Sequence, residues 1–410
     1  MKTKFRIPRP STILAVFVIV ALLSLTIPAR TVQAATRFVL AKTITSPTAT
    51  NGGFFGEAVA VVGDKFLVGA RGECAPSCGG AVHLFDSNGN PVQTILTPTV
   101  FASFGFSVSG VGADPLVGAI HDSTAGENAG AAYLFDDATG DLLQTFLNPN
   151  PAPGAPFSLD FFGWAVAGFG NNVLVSAIGE DIGAEDAGVV YLFDGATGAL
   201  LQTIQNPTPA LGDRFGSEIT TVGNNIAIAA AFDGTGSVNE GSVYLFDGAG
   251  NLITTIVSPQ PVASSGFGSS IAAFGNNLLV GHEAGFTGNV RSGVVHLFDG
   301  ATGAFIRSYL NPTPVEGELF GNSVAASGNN VLIGALRHQT RRQAGAAYLF
   351  DGTTAQLTAT LLNPERSVAD SFAWQVAAIG NSLLVSSPFQ SSNPDQFSDD
   401  GVTYLFQPKK

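Results

Sequence analysis

A Phe-Gly pair recurs at Phe55, Phe104, Phe162, Phe215, Phe267 and Phe320, and a Phe-Ala pair follows at Phe372. The steps between them are 49, 58, 53, 52, 53 and 52 residues. A period near 50 residues, kept this long, constrains the fold more than any other property of the chain. Each unit must be one supersecondary piece that buries its faces on its neighbours.

Every unit contains four short apolar runs. In the sixth they are "SVAAS" after the Phe-Gly, "VLIGA" after a Gly-Asn-Asn turn, "AAYLFD" after a variable polar loop, and "QLTATLLN" after a Gly-rich turn. Runs of this length bounded by Gly, Asn and Pro are strand signals. Composition agrees, with 50 Gly and only 12% charged residues. The middle runs are apolar throughout, so both faces of each sheet are expected to be covered. Four strands repeated at this period predict an all-β, seven-bladed β-propeller of four-stranded antiparallel blades, with units starting near 55, 104, 162, 215, 267, 320 and 372.

The chain's last run, "VTYLF", has no fourth run after it. The missing partner lies at the other end, where "RFVLAKTITSPTAT" (37–50) matches "ALLQTIQNPTPALGD" (199–213) in register. The N-terminal strand, 37–48, is therefore expected to join the last blade, 372–407, and close the ring. Closure pairs an edge that would otherwise stay open.

Residues 1–34 read as a secretory signal. Lys2, Lys4, Arg6 and Arg9 precede the apolar "STILAVFVIVALLSLTIP", and Val32 and Ala34 suit a cleavage site. The rival reading is an uncleaved anchor of nearly spanning length. Cleavage leaves residues 35–410 as the propeller, with no further apolar span and a secreted, periplasmic or cell-surface location. It also leaves 13 cations against 31 acids, a formal charge of −18. Such a surface repels nucleic acid. Cys74 and Cys78 are spaced to close a small disulfide in an oxidising compartment, and they supply only half of a tetrahedral metal site.

These motifs resemble the FG-GAP repeats of integrin alpha-subunit propellers, and more closely the bacterial secreted proteins that carry the same repeat. The resemblance spans the mature chain and implies a binding or adhesion role. Two departures stand out. Ala373 replaces the repeat glycine in the seventh unit, and the family's Gly-Ala after the second run becomes Ser176-Ala177, Ala229-Ala230, Gly281-His282 and Ser386-Ser387 in four units. Integrin-type calcium loops are also missing: the first-to-second connection is short and has no Asp-x-Asp-x-Asp run, so no cofactor is carried over.

Most candidate chemistry has a plain structural reading. Asp86, Asp136, Asp194, Asp247, Asp299 and Asp351 open hairpin turns and are expected to cap them. The repeated Phe is expected to pack between blades, contributing roughly 1.5–3 kcal/mol each. His83 and His296 replace the Tyr of other units, and His282, His338 and Glu283 lack metal-ligand spacing. Trp164 and Trp374 follow the repeat motif and serve packing or a sugar platform. No nucleophile elbow or phosphate loop is present.

The variable second-to-third loops are the informative surface. Unit three carries Glu180, Asp181, Glu185 and Asp186, while unit six carries Arg337, His338, Arg341 and Arg342. The arginines suit an anionic partner. These readings converge on a non-catalytic propeller that binds an extracellular protein or glycan through the face made by these loops and the inter-blade connections. The alternative is an exported polysaccharide lyase or hydrolase with its site in the central funnel. A purely structural surface module is a third reading.

Overall fold

A computed structural model of the chain describes residues 37–48, 52–74, 78–151, 160–337, 345–365, 371–390 and 399–409. The signal segment read in residues 1–34 lies outside the described residues. Among the described residues no helix is long and apolar enough to cross a membrane.

Each unit folds into one four-stranded antiparallel sheet, and seven such sheets form the ring. Blade three shows the order: Phe162–Phe169 is innermost, then Asn172–Ala177, Val189–Asp194 and, outermost, Leu200–Gln205. Second and third strands are buried along their length, as their continuous apolar runs require, whereas each fourth strand begins with exposed residues. A bulge after the leading Phe breaks the inner ladder, so that Phe162 pairs with Ala177 and the next partners are Val166 and Val175.

The seventh blade is completed from the other end of the chain. Phe38–Thr45 pairs antiparallel with Val402–Pro408, from Phe38 opposite Pro408 to Thr45 opposite Val402. The expected closure is present, over slightly fewer residues than the 37–48 read from the sequence.

Blade-to-blade packing explains the repeat motif. All seven motif phenylalanines are fully buried. Each meets the Phe of its own third strand nearly edge-on, as Phe104 does with Phe135 at 5.7 Å and Phe215 with Phe246 at 6.0 Å. The glycines serve contact between blades. A Cβ on Gly118 of blade two would sit 2.2 Å from the carbonyl oxygen of Gly163 in blade three, and Gly281 meets Gly321 in the same way. Where the second strand carries Ser176 instead, the opposing residue is Gly216, whose Cβ would lie 2.6 Å from that of Ser176. Ala373 departs from the motif opposite Gly334, which would itself clash if it carried a side chain. At these junctions at least one glycine is kept.

The capping aspartates behave as their turn chemistry demands. Asp136 accepts N–H groups of Ala138 and Thr139 at 3.0 and 2.7 Å, and the Thr139 bonds hold its carboxyl below the usual range.

Candidate functional site

The second-to-third loops and the inter-blade connections lie on one face, because the backbone joins them there. Gly179 N–H donates to Asp160, Phe232 N–H to Asp213, and Arg337 N–H to Glu318. This face holds the mouth of a central cavity of about 650 Å3, lined by the innermost strand of every blade and including Glu57, Phe106, Trp164, Glu218, Trp374 and Gln375.

The residues on either side of each Phe-Gly set the rim. Those after the Gly or Ala are Glu57, Phe106, Trp164, Ser217, Ser269, Asn322 and Trp374. Those before the Phe include Phe54, Phe161, Arg214 and Leu319, all with left-handed backbone (φ 53°, 52°, 54° and 57°). Bulky residues adopt that region at a cost of about 1–2 kcal/mol each. Blade five places Gly266 at the same position, with φ 68°. The fold thus accepts glycine there, and the large side chains of other blades are held at the rim against a backbone penalty.

The result is lopsided. From blade seven to blade three the rim is a continuous aromatic crescent. Trp374 lies 5.1 Å from Phe389, Phe389 lies 5.9 Å from Phe54, Phe106 lies 4.8 Å from Trp164, and Trp164 lies 5.9 Å from Phe161. Arg71 bridges the middle, its guanidinium 4.9 Å from the Phe54 ring and 5.8 Å from Phe106, and its Nε donates to Glu57. All of these side chains are half-buried. Blades four to six offer Ser217, Ser269 and Asn322 instead. The motif Phe, needed by every blade, recurs in all seven; the rim aromatics do not, so packing of the ring does not demand them.

Two carboxyls reach the central cavity. Burial pushes Glu57 up while Arg71 pulls it down, and burial alone pushes Glu218 up to about 7. Glu218 is half-buried on the cavity wall, and desolvation is the one cause that raises its carboxyl.

A smaller cavity of about 340 Å3 lies beside the crescent, lined by Phe161, Trp164, Ile178, Gly179, Asp186 and Arg214. Asp186 is left-handed (φ 52°), and its carbonyl accepts the Arg214 N–H at 3.1 Å. Arg214 is exposed and lies over Phe232 at 5.2 Å.

The acidic loop residues read from the sequence separate in space. Asp181 and Glu185 are exposed, and Asp181 accepts the Asp186 N–H at 2.9 Å. Glu180 is buried and accepts from Asn150, so it is withdrawn from the loop surface, and burial pushes its carboxyl up. It belongs to a recurrent set of buried groups at the start of this loop. Asp122 accepts from Tyr133 at 2.6 Å and from Thr99, Asp233 accepts from Tyr244, and Glu73 meets His83 at 3.1 Å. These tie a third strand to the segment leaving the preceding blade.

In unit six, Arg337 is exposed, and His338, Arg341 and Arg342 lie outside the described residues. Cys74 and Cys78 are bonded, with sulfurs 2.07 Å apart, in the blade-one loop. His282 is fully buried and 5.8 Å from His296, and among the described residues no group of three or more His, Cys, Asp or Glu is placed to hold a metal. Phe54, Phe106, Phe161, Arg71 and Arg214 were not singled out in the sequence. Aligning the residues that flank each Phe-Gly, and asking which exceed what a turn needs, would have found all but Arg71.

No curated protein matches the chain in sequence. The FG-GAP repeat family model matches residues 157–193 and 314–350, which hold the Phe-Gly motifs and first three strands of blades three and six. The chain is thus a seven-bladed β-propeller in which two units match the FG-GAP repeat and the other five share their frame, an arrangement consistent with an FG-GAP β-propeller protein.

Proposed function

We propose that this propeller is an exported, non-catalytic binding domain that takes an extracellular protein or glycan partner on the face carrying its second-to-third loops. Export is supported by the basic and apolar pattern of residues 1–34. The observation that carries the binding reading is the asymmetry of the mouth. Aromatic rings and Arg71 line the rim from blade seven to blade three, and after the repeat pair blades two, three and seven carry Phe106, Trp164 and Trp374 where blades four to six carry Ser217, Ser269 and Asn322. Half-buried aromatics with an arginine among them are the residue types that dominate binding interfaces.

The test uses residues 35–410 against a glycan array and a panel of surface proteins, beside a Phe106→Ala/Trp164→Ala variant. The expected result is a partner whose affinity falls at least tenfold in the variant at unchanged circular dichroism. A partner bound equally by both proteins rejects the crescent as the contact.

A second reading, an exported polysaccharide lyase or hydrolase, draws on Glu218. A carboxyl held up to about 7, in a cavity that a second carboxyl, Glu57, also lines, offers the two residue types glycoside chemistry uses. Release of reducing ends from a polysaccharide panel, abolished in Glu218→Gln, would favour it over simple binding.

A further inference from the structure

We propose that the cavity between blades three and four is a discrete subsite for one saccharide unit bearing a carboxylate, a uronate-type residue. This deepens the glycan arm of the binding reading and rests on it.

The cavity has the three chemical parts such a ring needs. Trp164 and Phe161 supply an aromatic wall for the apolar C–H face of a sugar. Asp186 supplies a carboxylate that accepts from neighbouring hydroxyls, and Arg214 supplies a planar fork of donors that matches a carboxylate. The volume, about 340 Å3, is at the low end for small-molecule sites, which run from about 300 to 1,000 Å3, so it suits a single ring-sized unit.

The two charges are also unspent. Their backbones are joined by a 3.1 Å hydrogen bond, yet no ion pair forms between the side chains. Among the described residues neither charged end has a hydrogen-bond partner. Phe232 holds the guanidinium by its ring face, 5.2 Å from the centroid, a contact that uses none of the N–H donors. Phe161, Asp186 and Arg214 all hold left-handed backbone, so half of the lining residues occupy positions that ordinary side chains avoid.

A neutral sugar would leave Arg214 without a counter-charge, and a polyanionic nucleic acid would meet Asp181, Glu185 and Asp186 around a single arginine. A carboxylated sugar uses both charges at once.

The chain has two tryptophans, so Trp374→Phe makes Trp164 the only one. That variant of residues 35–410 is titrated with disaccharides of galacturonate, glucuronate and mannuronate, with neutral galactose and glucose disaccharides, and with glutamate as a free amino acid. The expected result is a saturable change in Trp164 emission with at least one uronate, at least tenfold weaker with its neutral counterpart and absent with glutamate. Arg214→Gln brings acidic and neutral sugars within about twofold of each other, and Asp186→Asn weakens both. Silence of Trp164 to every uronate, an intact preference in Arg214→Gln, or a response to glutamate alone overturns the assignment. Circular dichroism and thermal midpoints of each variant exclude misfolding. Failure here with a partner still lost in a Phe54→Ala/Phe106→Ala variant removes this subsite and leaves the binding face standing; loss of neither removes both.

Discussion

Thr43 faces Tyr404 across the last ladder of the seventh blade. One residue on, Ile44 is buried and packs with Phe66 and Phe85 of blade one and with Leu384 and Leu405 of blade seven. The N-terminal strand therefore does two things: it completes a blade and it fills the seam beside it. Ile44→Ala is expected to lower the unfolding free energy by about 2–5 kcal/mol. Leu40→Ala, on the exposed side of the same strand, is expected to change it by less than about 0.5 kcal/mol. Equal midpoints for the two variants in denaturant would show that the strand only decorates the ring.

The glycine contacts between blades make a sharper steric claim. Gly118→Val puts a Cβ 2.2 Å from the Gly163 carbonyl, which neither backbone can evade without moving a blade. The expected loss is about 3 kcal/mol or more, beyond ordinary overpacking. Gly223→Val is the control for valine's propensity, since a Cβ there meets nothing, although its φ of 60° adds backbone strain. Thermal unfolding of both, with Gly118→Val no worse than Gly223→Val, would refute the contact.

The strands, the ring size and the end-to-end closure were legible because they are repeated: a signal too weak in one unit becomes firm in seven. The site was legible only in pieces. Trp164, Trp374 and Asp186 stood out as residue types, but their grouping depended on left-handed backbone at Phe161, Asp186 and Arg214, which sends those side chains to the rim. Nothing in the local pattern announces that conformation for Phe or Arg. Glu180 misled for a related reason. An acid in a polar loop reads as solvent-facing, whereas burial beside Asn150 makes it a tie between blades.

Glu218 offers a test of the cavity's dryness. Its carboxyl is raised from an ordinary value of 4.5 to about 7, so the fold favours the protonated form. The stability contributed by this group is present in full below pH 4.5 and is lost as pH rises through 7. Glu218→Gln, neutral at every pH, is expected to match the wild type near pH 4.5 and to exceed it above pH 7.5, by at most about 3 kcal/mol. Denaturant unfolding at both pH values checks this. A constant difference between the two proteins would mean that water reaches the carboxyl freely.

Blade five carries the opposite titration. Burial pushes His296 down to about 4 and His282, with help from the neighbouring charges of His296 and Arg291, down to about 3. Both stay neutral in the fold where a free histidine, at 6.5, would be protonated. The unfolded chain therefore takes up protons that the fold refuses, and stability falls as pH drops from 6.5 towards 4. Five other blades place Tyr133, Tyr191, Tyr244, Tyr348 and Tyr404 where His296 stands, so His296→Tyr fits the same site without an ionisable imidazole. Its unfolding free energy is expected to fall less steeply over that window, by about 1.4 kcal/mol per pH unit for one proton. Amide exchange is expected to locate the difference in Asn277–His282 and Val294–Asp299, the strands that pair around it. Parallel pH profiles for the two proteins would show that His296 is protonated in the fold after all, which its sealed position between Phe267 and Phe305 argues against.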